Sequence, residues 1–283
     1  MSEYEKLVKS LSGADILERW PDVTPLKQIS GVPKSEGSND DDNNKDTLFE
    51  GHDQEQIKLM DELCIVLDYE DQPVGAGTKK LCHIMKNIEN GLLHRAFSLF
   101  VFDRNNRLLL QQRADEKITF PGMWTNTCCS HPLCFSDELG VSPQDGYKTT
   151  DLAAGIVGAK RAAQRKLEHE LGVPVDQVAI EDIQYLTRIH YKSGSGADGK
   201  WGEHEIDYIL ILRTSQDLSI NANYNEVKDY KYVSEADLQS MFEDKSLVFT
   251  PWFKLICHTF LFKWWRNLDN LDKFRDDSIH RLL

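Results

Sequence analysis

The sequence predicts an α/β domain: short β-like apolar runs alternate with helix-compatible stretches, and Gly- and Pro-containing turns separate them. Its 40% hydrophobic residues are enough for a substantial core, and 283 residues suit one large domain with extensions or two small ones. Residues 14–20 read as a short helix halted by Pro21, within a stretch of 29 residues expected to dock loosely. Residues 30–46 are polar and free of aromatics, and include Asn39-Asp40-Asp41-Asp42-Asn43-Asn44. Such a segment cannot bury enough apolar surface to offset its ordering entropy. A flexible acidic linker is therefore expected, within an extension spanning residues 1–50.

The body, residues 51–283, opens with the strand-like Cys64-Ile65-Val66-Leu67 and a turn at Gly75-Ala76-Gly77. Residues 97–102 and 107–112 read as a hairpin about Asp103-Arg104-Asn105-Asn106. Residues 151–171 have helical composition and stop at Gly172, with Pro174 just beyond. Strand-like patterns recur over 183–190, 205–212 and 227–233. Ser234-Glu235-Ala236-Asp237 marks a helix start, and Thr250-Pro251 opens a final aromatic helix.

A net charge of −13 argues against a nucleic-acid surface, which needs clustered Lys and Arg. It leaves room for a locally basic pocket that takes a small anion. The start, Met1-Ser2-Glu3-Tyr4-Glu5-Lys6, lacks the basic and apolar regions of a leader. The most apolar stretch, 256–271, is broken by His258, Lys263, Arg266 and Asp269, so no membrane span is expected. Six cysteines without a small secreted framework point to a reducing compartment, by default the cytosol. Arg281-Leu282-Leu283 is a poor peroxisomal address.

Three groups of residues can carry chemistry. His83, His94 and His131 recur with Glu203 and Glu205, and carboxylates two apart on a strand share a face. Nitrogen with carboxylate oxygen suits Mn, Fe, Zn or Mg, although spacing alone does not group the five. In Thr127-Cys128-Cys129-Ser130-His131-Pro132 a Cys could be a reactive thiolate, a zinc ligand or a buried apolar side chain. Lys79, Lys80, Arg113 and Lys117 are either solvated charges or phosphate contacts; Arg113 at a strand exit offers bidentate recognition.

Arg165-Lys166-Leu167-Glu168-His169-Glu170-Leu171-Gly172-Val173 resembles a degenerate Nudix box. Lys166 and His169 stand where two of its metal-binding acids usually lie, which implies loss of multi-metal diphosphate cleavage. Glu170 could keep one metal contact. Three further motifs are His83-x10-His94-Arg95-Ala96-Phe97-Ser98, Thr125-Asn126-Thr127-Cys128-Cys129-Ser130-His131-Pro132 and Trp201-Gly202-Glu203-His204-Glu205-Ile206-Asp207-Tyr208. Together they resemble type I isopentenyl-diphosphate isomerases, the fungal form most closely, over residues 53–283.

The resemblance implies a Nudix-like mixed sheet sandwiched by helices, and interconversion of isopentenyl and dimethylallyl diphosphate for isoprenoid and sterol precursors. It implies one divalent ion, Mg2+, Mn2+ or Zn2+, on His83, His94, His131, Glu203 and Glu205. A Mg2+ accompanying the substrate diphosphate would meet Glu170. Cys129 and Glu205 match the catalytic pair and Tyr191 a tyrosine beside the glutamate. Lys79, Arg113 and Lys117 match diphosphate contacts, and Trp252 an aromatic wall for a carbocation. The expected partner is a small molecule, with no nucleic acid or membrane, for a monomer or weak dimer. None of the matched positions lies before Lys45, so a chain starting there is expected to keep most of its kcat/KM.

Overall fold

The computed structural model describes residues 1–29, 47–140, 152–196 and 198–283. The acidic run expected as a linker and Lys45 lie outside the described residues. The N-terminal part holds α1 (Glu3–Ser10), α2 (Gly13–Arg19), β1 (Thr24–Pro25) and α3 (Gln54–Leu59). Next come β2 (Leu63–Leu67), β3 (Pro73–Thr78), α4 (Lys79–His83), α5 (Met85–Glu89), β4 (Leu93–Phe102) and β5 (Leu108–Arg113). They are followed by β6 (Trp124–Thr125), β7 (Cys128–Ser130), α6 (Ser136–Leu139), α7 (Leu152–Leu171), β8 (Gln184–Ser195) and β9 (Trp201–Arg213). The last elements are β10 (Val227–Val233), α8 (Glu235–Glu243), α9 (Pro251–Ile256), α10 (Phe262–Trp265) and β11 (Ile279–Arg281).

The strands form one mixed sheet in the order β1-β3-β2-β4-β9-β8-β11, with β4 parallel to β9 and β11 parallel to β8. β4 organises it. One edge pairs with β9 from His94 to Phe102, while the other is shared by β2, β7 and β5 in turn. Along that edge His94 pairs with Val66 of β2, Ser98 with Cys129 of β7 and Phe102 with Leu108 of β5.

Strand alternation sets two cores. Ile206, Tyr208 and Leu210 join Phe97, Leu99 and the α7 residues Ala159, Ala162 and Leu167 on one face. Ile209 and Ile211 join Phe100, Ile189 and the α9–α10 residues Phe253 and Trp264 on the other. Small Ala residues let α7 approach the sheet closely. It ends at Gly172, whose φ of 62° is the left-handed value that favours glycine. The expected capping box opens α8, with Ser234 and Asp237 exchanging hydrogen bonds, and Pro251 starts α9. Among the described residues no helix is long and apolar enough to cross a membrane.

Two expectations change. The first 29 residues do not dock loosely: Leu11, Ile16, Trp20 and Val23 are buried against Val66, Cys82 and Leu92, and β1 joins the sheet through β3. Their apolar side chains supply the surface that residues 30–46 lack. Gly75-Ala76-Gly77 is not a turn but the middle of β3, where a Cβ on Gly75 would collide with the Thr24 carbonyl oxygen. There glycine permits close approach of β1.

Candidate active site

Thr78 caps α4 by accepting from the Leu81 amide, which aims His83, at the helix end, at β9. β4 presents His94 opposite Glu205 in register, and His131 directly follows β7. On β9, Glu203 and Glu205 share the face away from Ile206, as strand spacing predicts. The five side chains are buried, and their ligand atoms lie within 4.8 Å of one another.

His83 Nε2 lies 2.8 Å from Glu203 Oε2, and His94 Nε2 lies 3.7 Å from that oxygen and 3.4 Å from Glu205 Oε1. His131 Nε2 is 2.9 Å from Glu205 Oε1. His83 Nδ1 donates to the Lys79 carbonyl at 2.6 Å, which leaves Nε2 with its lone pair toward the cluster. His83 Nε2, both His94 nitrogens and Glu203 Oε2 are buried without a hydrogen-bond partner. Buried polar atoms are rarely left so, and this donor set suits a divalent cation.

The electrostatics agree. Burial opposes charge on Glu203, yet His83, His131 and His94 hold its carboxyl well below the usual range. Burial also opposes the His94 cation, but Glu203 and Glu205 push it up to about 10. His83 goes the other way, to about 4, because burial outweighs Glu203. The cluster thus concentrates carboxylate charge where positive charge is favoured.

Beside it is a narrow cavity of about 30 Å³, lined by Cys129, Tyr191, Glu205 and Trp252 together with Lys79, Arg113, Lys117 and Glu170. Every position matched by the sequence motifs faces either this cavity or the His/Glu cluster. The Tyr191 hydroxyl donates to Glu205 Oε2 at 2.5 Å. Burial, against an opposing pull from Arg113, pushes the Cys129 thiol up to about 12. All six cysteines are free. Arg113 is anchored by Nε on the Phe120 carbonyl and Nη2 on Thr119, with its guanidinium 5.8 Å from the Trp252 ring. Trp252 Nε1 is tied to Asn126 Oδ1 at 3.3 Å, which sets the indole plane.

Residues 92–253 match the NUDIX domain. The chain is 68% identical over 285 residues to an isopentenyl-diphosphate delta-isomerase of Candida albicans, covering 100% of this chain and 99% of that one. The chain belongs to the type I isopentenyl-diphosphate delta-isomerase family. The fission yeast Schizosaccharomyces pombe isomerase is 55% identical over 230 residues, 81% of this chain and 95% of its own. The Bos taurus isopentenyl-diphosphate Delta-isomerase 1 is 50% identical over 234 residues, 81% and 96% of the two chains.

Around the cavity and the His/Glu cluster, sequence reasoning missed three buried ionisable side chains. Lys166, read only as a replaced acid, lines the cavity and pairs with Glu170 at 3.2 Å. Its i,i+4 spacing from Glu170 on α7 was the available signal. Glu226 receives Lys117 at 2.7 Å and Gln56 Nε2 at 2.7 Å; only the tertiary fold brings it there. Asp207 continues the Glu203, Glu205 alternation and accepts from Ser98 at 2.8 Å. Burial and then Glu205 push its carboxyl well above the usual range. Glu170 stands apart from the five-residue group and accepts from Gln111 Nε2 at 2.9 Å.

Proposed function

We propose that the chain interconverts isopentenyl and dimethylallyl diphosphate by protonation and deprotonation through a tertiary carbocation. The observation that carries this reading is one cavity lined by Cys129, Tyr191, Glu205 and Trp252 alongside Lys79, Arg113, Lys117 and Lys166. An alkene must gain a proton at one carbon and lose one from the neighbour of the cationic centre. Cys129 and Glu205 are the proton-handling pair, and the Tyr191 hydroxyl steadies Glu205. With the thiol held high and Glu205 held low, the pair carries one exchangeable proton, and reversibility requires each group to serve in both directions. Burial of the cavity excludes water that would trap the cation. The Trp252 face stabilises that charge by about 2 kcal/mol in a dry site.

Lys79, Arg113 and Lys117 hold the diphosphate and so orient the hydrocarbon between the two groups. His83, His94, His131, Glu203 and Glu205 hold a divalent ion, Mg2+, Mn2+ or Zn2+; their orphaned buried atoms fit one. When bound, that ion supplies fixed positive charge that sets the orientation and acidity of the two carboxylates. Glu170 offers an oxygen ligand suited to a Mg2+ arriving with the diphosphate. Residues 51–283 carry every residue of this proposed site, serving cytoplasmic synthesis of isoprenoid and sterol precursors as a monomer or weak dimer.

The test is turnover of isopentenyl diphosphate with Mg2+ in heavy water. Dimethylallyl diphosphate carrying deuterium in a methyl group is expected. Unlabelled product would indicate a sealed hydrogen shift, and released phosphate would indicate a hydrolase; either result overturns the reading.

A further inference from the structure

A second cavity, of about 360 Å³, lies between the C-terminal helical run and the β8–β11 edge and shares no lining residue with the catalytic one. Its volume falls at the lower end of the roughly 300–1,000 Å³ usual for small-molecule sites. Phe260, Trp264 and Phe274 give it aromatic walls, and Lys263, Lys273 and Arg275 bring three cations to the same space. Phe260 and Trp264 stack at 5.2 Å with planes 10° apart, so the buried Trp264 ring holds Phe260 in place at the cavity wall.

The charge there is unbalanced. In a chain of net charge −13, none of these three cations has an ion pair among the described residues. The one acid in the lining, Asp276, is already engaged by the Thr187 hydroxyl at 2.9 Å, the Ser278 amide at 2.8 Å and His280 at 3.1 Å. The field extends outward: Lys160 is lowered by burial first and by Arg275 next.

The backbone gives an independent sign. Between α9 and α10 the helix widens into a π-turn over Cys257–Leu261, which supplies Thr259 and Phe260 to the cavity. Such turns are uncommon and occur frequently at functional sites.

We propose that this cavity is a second ligand site, for a soluble amphipathic organic phosphate. The apolar body lies against the aromatic walls, chiefly Phe260 and Phe274, and the phosphate meets Lys263, Lys273 and Arg275 at the rim. Neither part suffices: three surface cations alone bind phosphate weakly in salt, and the ring surface alone does not select an anion.

The probe is octyl phosphate, titrated calorimetrically into the full chain, with 1-octanol and inorganic phosphate as separate arms. One saturable site is expected for octyl phosphate, with both single-feature arms at least about tenfold weaker. The double substitution Lys273→Glu, Arg275→Glu should weaken binding by about tenfold or more while isopentenyl diphosphate turnover is retained, which shows the variant is folded. Arg113→Ala, in the catalytic cavity, should leave that site intact. Equal binding by the Lys273/Arg275 variant, loss of binding with Arg113→Ala, or inorganic phosphate binding as tightly as octyl phosphate would each overturn the proposal. Vesicles of phosphatidylcholine with phosphatidic acid provide the last arm. Sedimentation of the chain with them, in place of octyl phosphate binding, would assign the patch to a lipid surface and remove the soluble-ligand reading.

Discussion

Adjacent cysteines in one short strand have different surroundings. Cys128 is fully buried and its thiol points to Glu170 Oε2 at 3.5 Å, whereas Cys129 lines the cavity within 3.9 Å of the Thr125 hydroxyl. Alternation along β7 sends them to opposite faces. Cys129→Ala should therefore lower kcat by about a hundredfold or more, and Cys128→Ala by far less. Steady-state kinetics on both variants decides it, and a reversed ranking would sink the assignment. Residue chemistry alone left the roles of the two cysteines open, and spacing alone did not group His83, His94 and His131; the motif resemblance supplied both readings. The histidines come from a helix end, a strand and a loop that only the tertiary fold unites.

Regular elements were legible where their signals were periodic or capped. The hairpin, β10, α7 with its terminal glycine, and the starts of α8 and α9 all follow from such signals. The β3 glycines misled because the same residue type serves turns and close strand approaches, and only the partner strand distinguishes them. Gly75→Ala should destabilise the chain by about 1–3 kcal/mol, through collision with β1 rather than loss of any turn. Denaturant unfolding measures it, and an unchanged midpoint would refute the close-approach reading. α7 shows the converse case. Its box was recognised from spacing, and so could the i,i+4 pair of Lys166 with Glu170 have been, but the burial of that pair depends on how the helix docks.

At the scale of the molecule, the N-terminal residues were underestimated. The Tyr4 hydroxyl donates to the Ile88 carbonyl at 2.5 Å and lies 3.2 Å from His204 Nδ1, so α1 touches the strand that carries Glu203 and Glu205. Deleting residues 1–29 would expose Val66, Cys82 and Leu92, and should lower the melting temperature by more than about 5 °C. The packing in the first 29 residues argues against the expectation that a chain starting at Lys45 keeps most of its kcat/KM, and a thermal melt with kinetics on that chain tests it. Chelation is a separate whole-molecule test. An ion at about a hundredfold excess over its Kd stabilises a fold by about 2.7 kcal/mol. Stripping the His/Glu cluster should lower the melting temperature and abolish turnover, with both restored by Mg2+ together with Mn2+ or Zn2+. Full activity in chain shown metal-free by elemental analysis would refute the ion site.

The alternation of Glu203, His204 and Glu205 has a bearing on how the chain finds its fold. β9 is flanked by β4 and β8, and sliding it by one residue would turn both carboxylates to the other face and bring His204 into their place. That arrangement would offer nitrogen alone to the three histidines and no oxygen ligands. An ion bound to the mixed set would therefore act as a proofreader of strand pairing, adding its binding free energy only to the correctly threaded sheet.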